Sequence, residues 1–469
     1  MAVITAHMKK ELRFFSQLVE KLIQMEETNP VSEPIPTDQV IEKLNLEFEE
    51  EGINDEDWEK LIENVALNTP KTASKLFFNQ LFGGRQPKSV LGDLLAVILN
   101  SSMYTYKVAG PQAGIEKVII QKVCQLIGYP NTADGTIAPG GSMSNFMGLV
   151  MGRDAASTDI PNAGVSKKMT LYTSKESHYS IPKNAAFAGI GRDQVRYIKT
   201  NSTGKMDIEH LNEIILEDKE KGFKPFFVNA TAGTTVLGAF DDIEAIHKIC
   251  QQHQIWLHVD GAYCGGVIFS KNYKRLVKGI ELSDSFSFNA HKMLGTPLSC
   301  SIVIAKDKKF LSKSFSNEAE YLYQTDADDF DLGRTSLQCG RRNDALKFWT
   351  LWKSVGNKGL ENIIDQQFHL ADIARQYIES HPDYTLYSLP DSISICFNYK
   401  NISADELCTH LYEKATAMVG YGKYGPNEFI RLITINSTNT EKEILHFFKV
   451  LEEGAKELES KNMLSMIAS

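Results

Sequence analysis

The sequence predicts an α/β protein with a large, mostly parallel sheet and a smaller α/β domain after it. Six apolar, β-rich runs recur between residues 169 and 305, and stretches with helical periodicity separate most of them. This alternation is typical of a parallel sheet that helices cover on both faces. Beyond about residue 355 the elements become shorter, which indicates a second domain. We therefore divide the chain into an N-terminal helical segment (1–85), a large domain (86–355) and a small C-terminal α/β domain (356–469).

The N-terminal segment is predicted to be helical. Residues 9–26 carry one apolar face, formed by Leu12, Phe15, Val19 and Leu22. Prolines at positions 30, 34 and 36 end this helix, a second helix is expected to begin near Thr37-Asp38, and a third covers Glu56–Val65. These helices are too few to bury a core alone, so we expect them to pack on another domain or another subunit.

The strands of both domains follow from apolar runs. In the large domain the predicted strands are Met169–Thr173, Val195–Ile198, Phe226–Ala230, Ile255–Val259, Ser285–Phe288 and Ser301–Ala305. In the small domain a strand (Ser392–Tyr399), a helix (Ala404–Ala417), a second strand (Phe429–Ile435) and a final helix (Thr440–Ser460) are expected. Ligands of parallel sheets bind at the carboxyl ends of the strands, and the polar and glycine-rich stretches of the large domain fall there.

Composition excludes several classes of function. The net charge of -9 argues against a general nucleic-acid binder or a protein that binds acidic membranes. No apolar run approaches the roughly 20 residues of a spanning helix, and the N-terminus lacks a signal-peptide pattern. The seven cysteines are widely spaced without a CxxC pair, which favours reduced thiols over disulfides or a metal site. We expect a cytoplasmic protein with no bound metal.

Lys292 has an unusual setting for a lysine. It follows His291 within a run of apolar and small residues, Ser285–Gly295. Desolvation in such a run disfavours the ammonium form and makes the neutral, nucleophilic amine available. A lysine that binds a carbonyl cofactor covalently needs this property. The alternative is a lysine at a strand end that reaches solvent.

A glycine-serine segment, Gly140–Asn145, precedes the helical stretch Phe146–Arg153. Its two glycines let the backbone approach an anion closely, and serine hydroxyls and free N–H groups at the start of a helix can bind that anion. A phosphate is the natural ligand of such a segment. The alternative is an ordinary turn that begins a helix.

Asp260 ends an apolar strand. An unpaired carboxylate in that position is costly, so we expect it to face a cation or a strong hydrogen-bond donor. A protonated pyridine nitrogen fits, and the small residues Gly261 and Ala262 would let a flat ring lie against the strand end. A helix N-cap is the alternative.

Two further stretches follow predicted strands. His178, within Ser177–Ser180, could stack on an aromatic ring, and Asn229–Thr235 is small and rich in hydroxyl groups. Each stretch alone is also compatible with a structural histidine or an ordinary turn. Together with the glycine-serine segment, Asp260 and Lys292, they describe a pyridoxal phosphate site in a large α/β domain.

From about Leu76 to Ile435 the chain resembles the group II pyridoxal phosphate-dependent amino acid decarboxylases. Asn289–Lys292 and His258–Tyr263 are similar to the lysine and aspartate motifs of that family. Further segments resemble its glutamate and cysteine sulfinate decarboxylase branch, namely Gly140–Asn145, Asn229–Asp241, Gln338–Arg341 and Phe348-Trp349.

The resemblance implies the aspartate-aminotransferase-like (type I) fold with a seven-stranded sheet, and an obligate homodimer with active sites at the subunit interface. It implies that Lys292 binds pyridoxal 5'-phosphate covalently, that Asp260 contacts the pyridine nitrogen and that His178 stacks on the ring. The other cofactor-binding residues that it implies are Gly141, Ser142, Thr231, Ala262, Asn289 and His291. Two departures, Gly261 for alanine and Ala290 for proline, predict a slightly looser pocket.

The resemblance also implies a reaction. In relatives a tyrosine of a mobile loop protonates the carbanion that remains after CO2 departs. Tyr321, within Ala319–Gln324, matches that position. The resemblance therefore implies simple decarboxylation, with Lys292, Tyr321 and His178 as the catalytic residues.

Substrate choice is expected to depend on Gln80, Phe82 and Arg431. Arg431 matches an arginine that binds the side-chain acid of glutamate-type substrates, and a guanidinium suits a carboxylate, sulfinate or sulfonate. Gln80 would donate to the same acid. Phe82 resembles the cysteine sulfinate and aspartate decarboxylases and shortens the pocket. We expect decarboxylation of a small acidic L-amino acid (cysteine sulfinate, aspartate or cysteate) to its amine and CO2.

Three alternatives remain open at the level of sequence. The first is a glutamate decarboxylase that produces 4-aminobutanoate. The second is a decarboxylase of aromatic or basic amino acids, against which Arg431 and Gln80 argue. The third is a catalytically silent scaffold that binds pyridoxal phosphate, against which the intact lysine and aspartate motifs argue. Lys107 stands where relatives carry glutamate, and nothing in the sequence explains that change.

Overall fold

The chain folds into two units, each built around one sheet. The structure is a computed structural model that describes residues 2–28, 30–316 and 329–468. The large unit comprises residues 85–371 and 388–394, and the small unit comprises residues 1–84, 372–387 and 395–469. The division of the sequence into three domains remains a prediction.

Helices and strands alternate through most of the chain. Among the described residues the helices are α1 (Ala2–Thr28), α2 (Val40–Lys43), α3 (Asp55–Asn68), α4 (Pro87–Leu99), α5 (Tyr106–Ala109), α6 (Pro111–Ile127), α7 (Gly141–Ala156), α8 (Ile160–Ala163), α9 (Ser180–Phe187), α10 (Ile208–Glu220), α11 (Ile243–His253), α12 (Lys308–Phe315), α13 (Ala345–Ser380), α14 (Ala404–Glu413) and α15 (Glu441–Ala468). The strands are β1 (Asp134–Ala138), β2 (Met169–Ser174), β3 (Val195–Ile198), β4 (Lys224–Thr231), β5 (Trp256–Gly261), β6 (Ser285–Asn289), β7 (Ser301–Ala305), β8 (Tyr384–Leu386), β9 (Ser394–Tyr399), β10 (Gly420–Tyr424) and β11 (Asn427–Ile433).

The large unit contains a seven-stranded sheet with the order β1-β7-β6-β5-β4-β2-β3. Strands β3, β2, β4, β5 and β6 pair in parallel, and β7 runs antiparallel to both of its neighbours, β6 and β1. Every residue of β2, β5, β6 and β7 is buried, as expected of strands that helices cover on both faces. The predicted mostly parallel sheet is therefore confirmed.

Helix α7 packs closely on β5 because it presents glycine to the strand. A Cβ atom on Gly148 would lie 2.6 Å from His258 Nδ1, and one on Gly152 would lie 2.9 Å from Trp256 Cγ. Gly141, Asn145, Gly148 and Gly152 are spaced by four, three and four residues, so they lie on one face of the helix. The face meets alternate residues of β5, which all point to one side of the sheet.

The small unit contains a four-stranded sheet with the order β10-β11-β9-β8. The pairs β10–β11 and β8–β9 are antiparallel. In the same unit α1 contacts α3, where the ring centroids of Phe14 and Trp58 lie 5.8 Å apart. The expected second helix is a single turn, α2, which begins two residues after the predicted cap at Asp38. Among the described residues, no helix is long and apolar enough to cross a membrane.

Candidate active site

The carboxyl ends of β4, β5 and β6 border a cavity of about 210 Å³ in the large unit. All nine residues predicted to bind the cofactor line it: Gly141, Ser142, His178, Thr231, Asp260, Ala262, Asn289, His291 and Lys292. These residues lie up to 151 positions apart in the chain (141 to 292). The parallel strands bring them together, as the rule for sites in open α/β sheets predicts.

One wall of the cavity is the N-terminus of α7. Gly140 has φ 151°, a conformation that favours glycine. A Cβ atom on Gly141 would lie 2.9 Å from Asn289 Nδ2 and 3.0 Å from the Ala262 Cβ atom, so only glycine fits without a shift. The first N–H groups of this 16-residue helix and its dipole favour an anion at this wall.

Asp260 lies at the base of the cavity and is 3% exposed. Its Oδ1 accepts from the Ala262 N–H at 2.9 Å, and its Oδ2 accepts from Asn145 Nδ2 at 2.7 Å. Hydrogen bonds from N–H groups favour the charged form of a carboxylate. The site therefore holds a buried anion at the point where the sequence predicts a partner for a cationic ring nitrogen.

Lys292 lies partly buried in the wall of the same cavity, three residues beyond the end of β6. Its Nζ atom lies 5.9 Å from the centroid of the Tyr263 ring. Desolvation lowers the pKa of Lys292 below its ordinary value, and the negative charge of Asp260 opposes this effect. The result is an amine with increased nucleophilic character.

Two histidines of the cavity are held neutral by burial. Desolvation lowers the pKa of His178, and it lowers the pKa of His291 to about 4. The Cys300 N–H donates to His291 Nδ1 at 2.9 Å. The Ser180 N–H donates to His178 Nδ1 at 3.2 Å, which orients the ring at the start of α9. A neutral imidazole with a fixed ring plane suits stacking on a flat cofactor.

Thr231, at the end of β4, is fixed by the buried carboxylate of Asp241, which is not among the predicted site residues. Asp241 Oδ2 accepts from the Thr231 N–H at 2.8 Å, and Asp241 Oδ1 accepts from the Met206 N–H at 2.7 Å. Burial raises the pKa of Asp241 to about 6. In the sequence, Asp241 stands out only as the end of the Asn229–Asp241 segment.

Five residues that the sequence did not single out as site residues also line the cavity: Asn145, Tyr179, Gly233, Thr235 and Tyr263. All five lie within the motifs that were recognised or directly beside them. Asn145 closes the glycine-serine segment, and its contact with Asp260 spans 115 residues of sequence. Position in a motif could have suggested these residues, but only the tertiary fold shows which of them face the cavity.

The expectation that Gly261 loosens the pocket is wrong. A Cβ atom at this position would lie 2.6 Å from Phe286 Cε2 and 2.9 Å from Gly265 Cα. The space that an alanine methyl group would need is therefore already filled. Ala290, the other departure, is fully buried.

The residues expected to select the substrate belong to the small unit. Arg431, on β11, donates from Nη2 to the Asn79 carbonyl at 3.5 Å, across 352 residues of sequence. Gln80 is the next residue and is exposed, and the Phe82 ring lies 6.2 Å from the ring of Phe77. Arg431 and the segment that contains Gln80 and Phe82 thus lie together. Tyr321 lies outside the described residues.

Comparisons with known proteins agree on one family. The family described as the pyridoxal-dependent decarboxylase conserved domain matches residues 38–400. The chain is 36% identical over 442 residues to cysteine sulfinic acid decarboxylase of Rattus norvegicus, which covers 88% of this chain and 89% of the relative. It is 34% identical over 425 residues to acidic amino acid decarboxylase GADL1 of Mus musculus, and this alignment covers 86% of this chain and 77% of the relative.

Solved structures give the same result. The crystal structure of mouse CSAD superposes with a TM-score of 0.92 at 33% identity and covers 96% of this chain and 98% of that chain. The structure of Oryza sativa TDC with PLP and tryptamine shares the fold, with a TM-score of 0.88 at 22% identity over 97% and 98% of the two chains.

Proposed function

The chain belongs to the pyridoxal-dependent decarboxylase family, and from that membership we propose that it decarboxylates a small acidic L-amino acid at the α-carbon. The chain is thus a pyridoxal phosphate-dependent amino acid decarboxylase with the type I fold. The observation that carries the substrate proposal is the contact between Arg431 and the segment containing Gln80 and Phe82, within the small unit. The relatives named for cysteine sulfinic acid and for acidic amino acids support it.

The cavity fits pyridoxal phosphate. It offers a helix N-terminus for the phosphate, a buried carboxylate for the pyridine nitrogen and an amine of lowered pKa for the aldehyde. When bound, pyridoxal phosphate supplies an electron sink for the pair that CO2 leaves on the α-carbon. We infer that Gly141 and Ser142 bind the phosphate and that Lys292 holds the cofactor covalently.

The remaining site residues have distinct proposed tasks. Asp260 keeps a proton on the pyridine nitrogen through its own negative charge. His178, neutral and oriented by the Ser180 N–H, stacks on the ring. Thr231 and Ala262 flank the ring, and Asn289 and His291 lie around the phosphate and its approach. Tyr321 donates a proton to the α-carbon after CO2 departs, which makes decarboxylation the outcome instead of oxidation.

Arg431 is proposed to bind the distal acid of the substrate, with Gln80 as a second donor. A guanidinium can make two parallel hydrogen bonds to a carboxylate or sulfinate, and aromatic or basic side chains offer no such acceptor. Phe82 limits the length of the substrate. A pocket that excludes one methylene group changes the activation free energy between two substrates by about 1–3 kcal/mol. We therefore expect a higher kcat/KM with aspartate and cysteine sulfinate than with glutamate.

The test is CO2 release by the purified holoenzyme with aspartate, cysteine sulfinate, cysteate, glutamate, diaminobutyrate and an aromatic amino acid. We expect the three shorter acids to give the highest kcat/KM, and Phe82→Ser to raise the relative rate with glutamate by roughly 10- to 200-fold. Arg431→Ala should lose activity with every acid, whereas Arg431→Lys should retain part of it. Glutamate as the best substrate of the wild type would establish the alternative, a glutamate decarboxylase.

We also propose that the enzyme is a homodimer with its active sites at the subunit interface. The support from the large unit is the apolar surface of α4, where Ile98 is 58% and Leu99 54% exposed, and where Leu91, Leu95 and Val97 are exposed too. Apolar helix surfaces of this extent mark interaction sites.

We propose a reducing compartment, such as the cytoplasm, as the location of the protein. Six of the seven cysteines are buried, and all seven are free.

A further inference from the structure

A chain of buried hydrogen bonds leads from Trp256 to Asp260. Trp256 Nε1 donates to Ser285 Oγ at 2.9 Å, and Ser285 Oγ lies 2.8 Å from His258 Nδ1. His258 Nε2 lies 3.1 Å from Asn145 Oδ1, and Asn145 Nδ2 donates to Asp260 Oδ2 at 2.7 Å. His258 and Ser285 are fully buried, Asn145 is 1% exposed and Trp256 is 7% exposed.

The two ends of this chain allow one arrangement of its protons. An ionised Asp260 only accepts, so Asn145 must turn its Nδ2 towards it and its Oδ1 towards His258. His258 must then carry its proton on Nε2, which leaves Nδ1 as an acceptor for the Ser285 hydroxyl. At the other end Trp256 only donates, so Ser285 Oγ accepts there and its own hydrogen is available for His258.

The packing of α7 makes this chain possible. His258 fits against the helix because position 148 is glycine, and Trp256 fits because position 152 is glycine. Burial lowers the pKa of His258 to about 4, so the ring is neutral and has a single N–H to donate. A second donor, Ser287 Oγ at 3.2 Å, also faces Asn145 Oδ1 and favours the same orientation of the amide.

We propose that Trp256, Ser285 and His258 are positioning residues that orient the Asn145 amide, so that its N–H group holds the Asp260 carboxylate charged opposite the pyridine nitrogen. The inference rests on the proposed role of Asp260 and extends it to residues outside the cavity. Removing a link would turn or loosen the amide and weaken the charged form of Asp260. The pyridine nitrogen would then hold its proton less firmly, and the electron sink would be weaker.

The first test uses the cofactor-free full chain with 15N-labelled histidine. Two-bond proton-nitrogen correlation spectra distinguish the two tautomers of a neutral imidazole, and the His258 signals are assigned by their loss in His258→Gln. We expect the Nε2–H tautomer at neutral pH. A Nδ1–H tautomer or a charged ring would overturn the proposal, and this result does not depend on which substrate the enzyme uses.

The second test compares two replacements of His258 in the holoenzyme. Glutamine can donate to Asn145 Oδ1 and accept from Ser285, whereas leucine fills a similar volume without either bond. With pyridine-15N cofactor, His258→Gln should keep the ring nitrogen protonated as in the wild type. His258→Leu should lose part of that protonation and shift the cofactor absorbance band. Its kcat should fall about 10-fold with little change in KM, the equivalent of one buried hydrogen bond.

If His258→Leu does not fold, Ser285→Ala gives the same information with a smaller change. It removes the hydroxyl that donates to His258 Nδ1, so the His258 ring should be held less firmly and protonation of the pyridine nitrogen should fall. The matched control is Ser283→Ala. Ser283 is a buried serine two residues away that bonds to Tyr129 and lies outside the series of hydrogen bonds from Trp256 to Asp260. Equal nitrogen signals in the leucine, glutamine and wild-type enzymes, or in Ser285→Ala and its control, would overturn the proposal. A wild type that protonates the ring but releases no CO2 would contradict the proposed function alone.

Discussion

Lys292 illustrates how a single side chain acquires its chemistry from its surroundings. Its amine is deprived of water in the wall of the cavity, and its pKa falls although the Asp260 carboxylate pulls in the opposite direction. Burial thus outweighs an attractive charge at this residue. The same cause lowers the pKa of three histidines, His178, His258 and His291, so these imidazoles are neutral.

The pH dependence of amine modification tests the state of Lys292. In the cofactor-free enzyme, the rate of reaction of Lys292 with an amine-reactive reagent should reach half of its maximum below pH 10.5, because burial favours the neutral amine. Lys60 provides the contrast, since a hydrogen bond to Glu56 raises its pKa. Peptide mass spectrometry after brief labelling would measure both residues. Half-maximal rates at the same pH for the two lysines would contradict the prediction.

His258 should make the protein sensitive to acid. Its folded pKa of about 4 lies below the ordinary value of 6.5, so between these values the unfolded chain binds a proton that the folded chain does not. The stability is therefore complete above pH 6.5 and is lost as pH falls towards 4. The loss from one such histidine amounts to ~3 kcal/mol.

Urea unfolding at pH 7 and pH 4.5 measures this loss. His258→Gln keeps the hydrogen bonds but cannot bind the proton, so its free energy of unfolding should fall by ~2 kcal/mol less than that of the wild type over this interval. An equal fall in both proteins would show that His258 does not carry the effect.

The site residues that could be predicted from the sequence are those whose chemical type is unusual among their neighbours. Lys292 and Asp260 interrupt apolar runs, and Gly141 stands in a glycine-serine segment at the start of a helix. Asn145, His258 and Ser285 were not selected as site residues. A buried asparagine or serine has no distinctive pattern in one sequence, and its partner is known only when strand and helix registers are fixed. The prediction of a looser pocket at Gly261 failed for this reason, because Phe286 fills the space from a neighbouring strand.

At the level of elements, one face of α7 packs on one side of β5, although the residues of a helix face and of a strand side recur at different spacings. The helix places Gly141, Asn145, Gly148 and Gly152 on one face, and the strand places Trp256, His258 and Asp260 on one side of the sheet. Because the helix and strand run in opposite directions, the start of the helix meets the end of the strand. This pairing explains why Gly141 and Asn145, near the start of α7, line the cavity, whereas Gly148 and Gly152, further along the helix, pack on His258 and Trp256.

Gly148→Ala should destabilise the protein although alanine favours helices. The new methyl group would force His258 to move, and overpacking of a core costs about 1–3 kcal/mol, against a gain of ~1 kcal/mol from helix propensity. Thermal unfolding measures the net effect, and the pyridine nitrogen of the bound cofactor should also lose protonation. Gly114→Ala on α6 is the control, because the nearest atom to its Cβ is Phe330 Cε1 at 3.9 Å, and it should be neutral or stabilising. A stabilising effect at position 148 would contradict the close packing.

The elements predicted correctly were those with strong apolar periodicity. The six expected strands correspond to β2–β7, and two of them, Val195–Ile198 and Ser301–Ala305, have the predicted bounds. Strand β1 was not predicted because Asp134-Gly135-Thr136-Ile137-Ala138 has only one strongly apolar residue. Strands β8 and β10 were not predicted either, since β8 has three residues and no residue of β10 is fully buried. Such strands form because a neighbouring strand supplies the backbone hydrogen bonds. The hydrophobic pattern of a short segment does not reveal that pairing.

At the scale of the whole molecule, α4 has an apolar surface that is exposed in the single chain. Its exposed leucine, isoleucine and valine residues would be costly in contact with water. On α1 a second group of exposed apolar residues lies at helical spacing, namely Met8, Leu12 and Phe15. These surfaces support the proposed homodimer, and packing of the N-terminal helices on another subunit stays a prediction.

Charges placed on α4 should dissociate the proposed dimer. In the double variant Leu95→Glu and Ile98→Glu, two carboxylates would have to be buried at the interface, so sedimentation should show monomers at concentrations where the wild type is dimeric. Leu216→Glu is the control, since Leu216 is an exposed apolar residue on α10, away from α4 in sequence, and should leave the dimer intact. Monomeric wild-type enzyme with full activity would overturn the proposed assembly.

The glycines of α7 also affect how α7 and the neighbouring sheet unfold locally. Each glycine within a helix costs ~1 kcal/mol relative to alanine, so a peptide with the sequence of α7 is expected to be a poor helix by itself. The helix persists because the sheet holds it, and its amide hydrogens should exchange with deuterium only when β5 and β6 open as well. The N-terminus of α7, which we propose to bind the phosphate, then forms one cooperative unit with β5, which carries Asp260, and β6, which precedes Lys292. If the start of α7 unfolds only together with the sheet, release of the cofactor and stability of the sheet should respond together to temperature and denaturant.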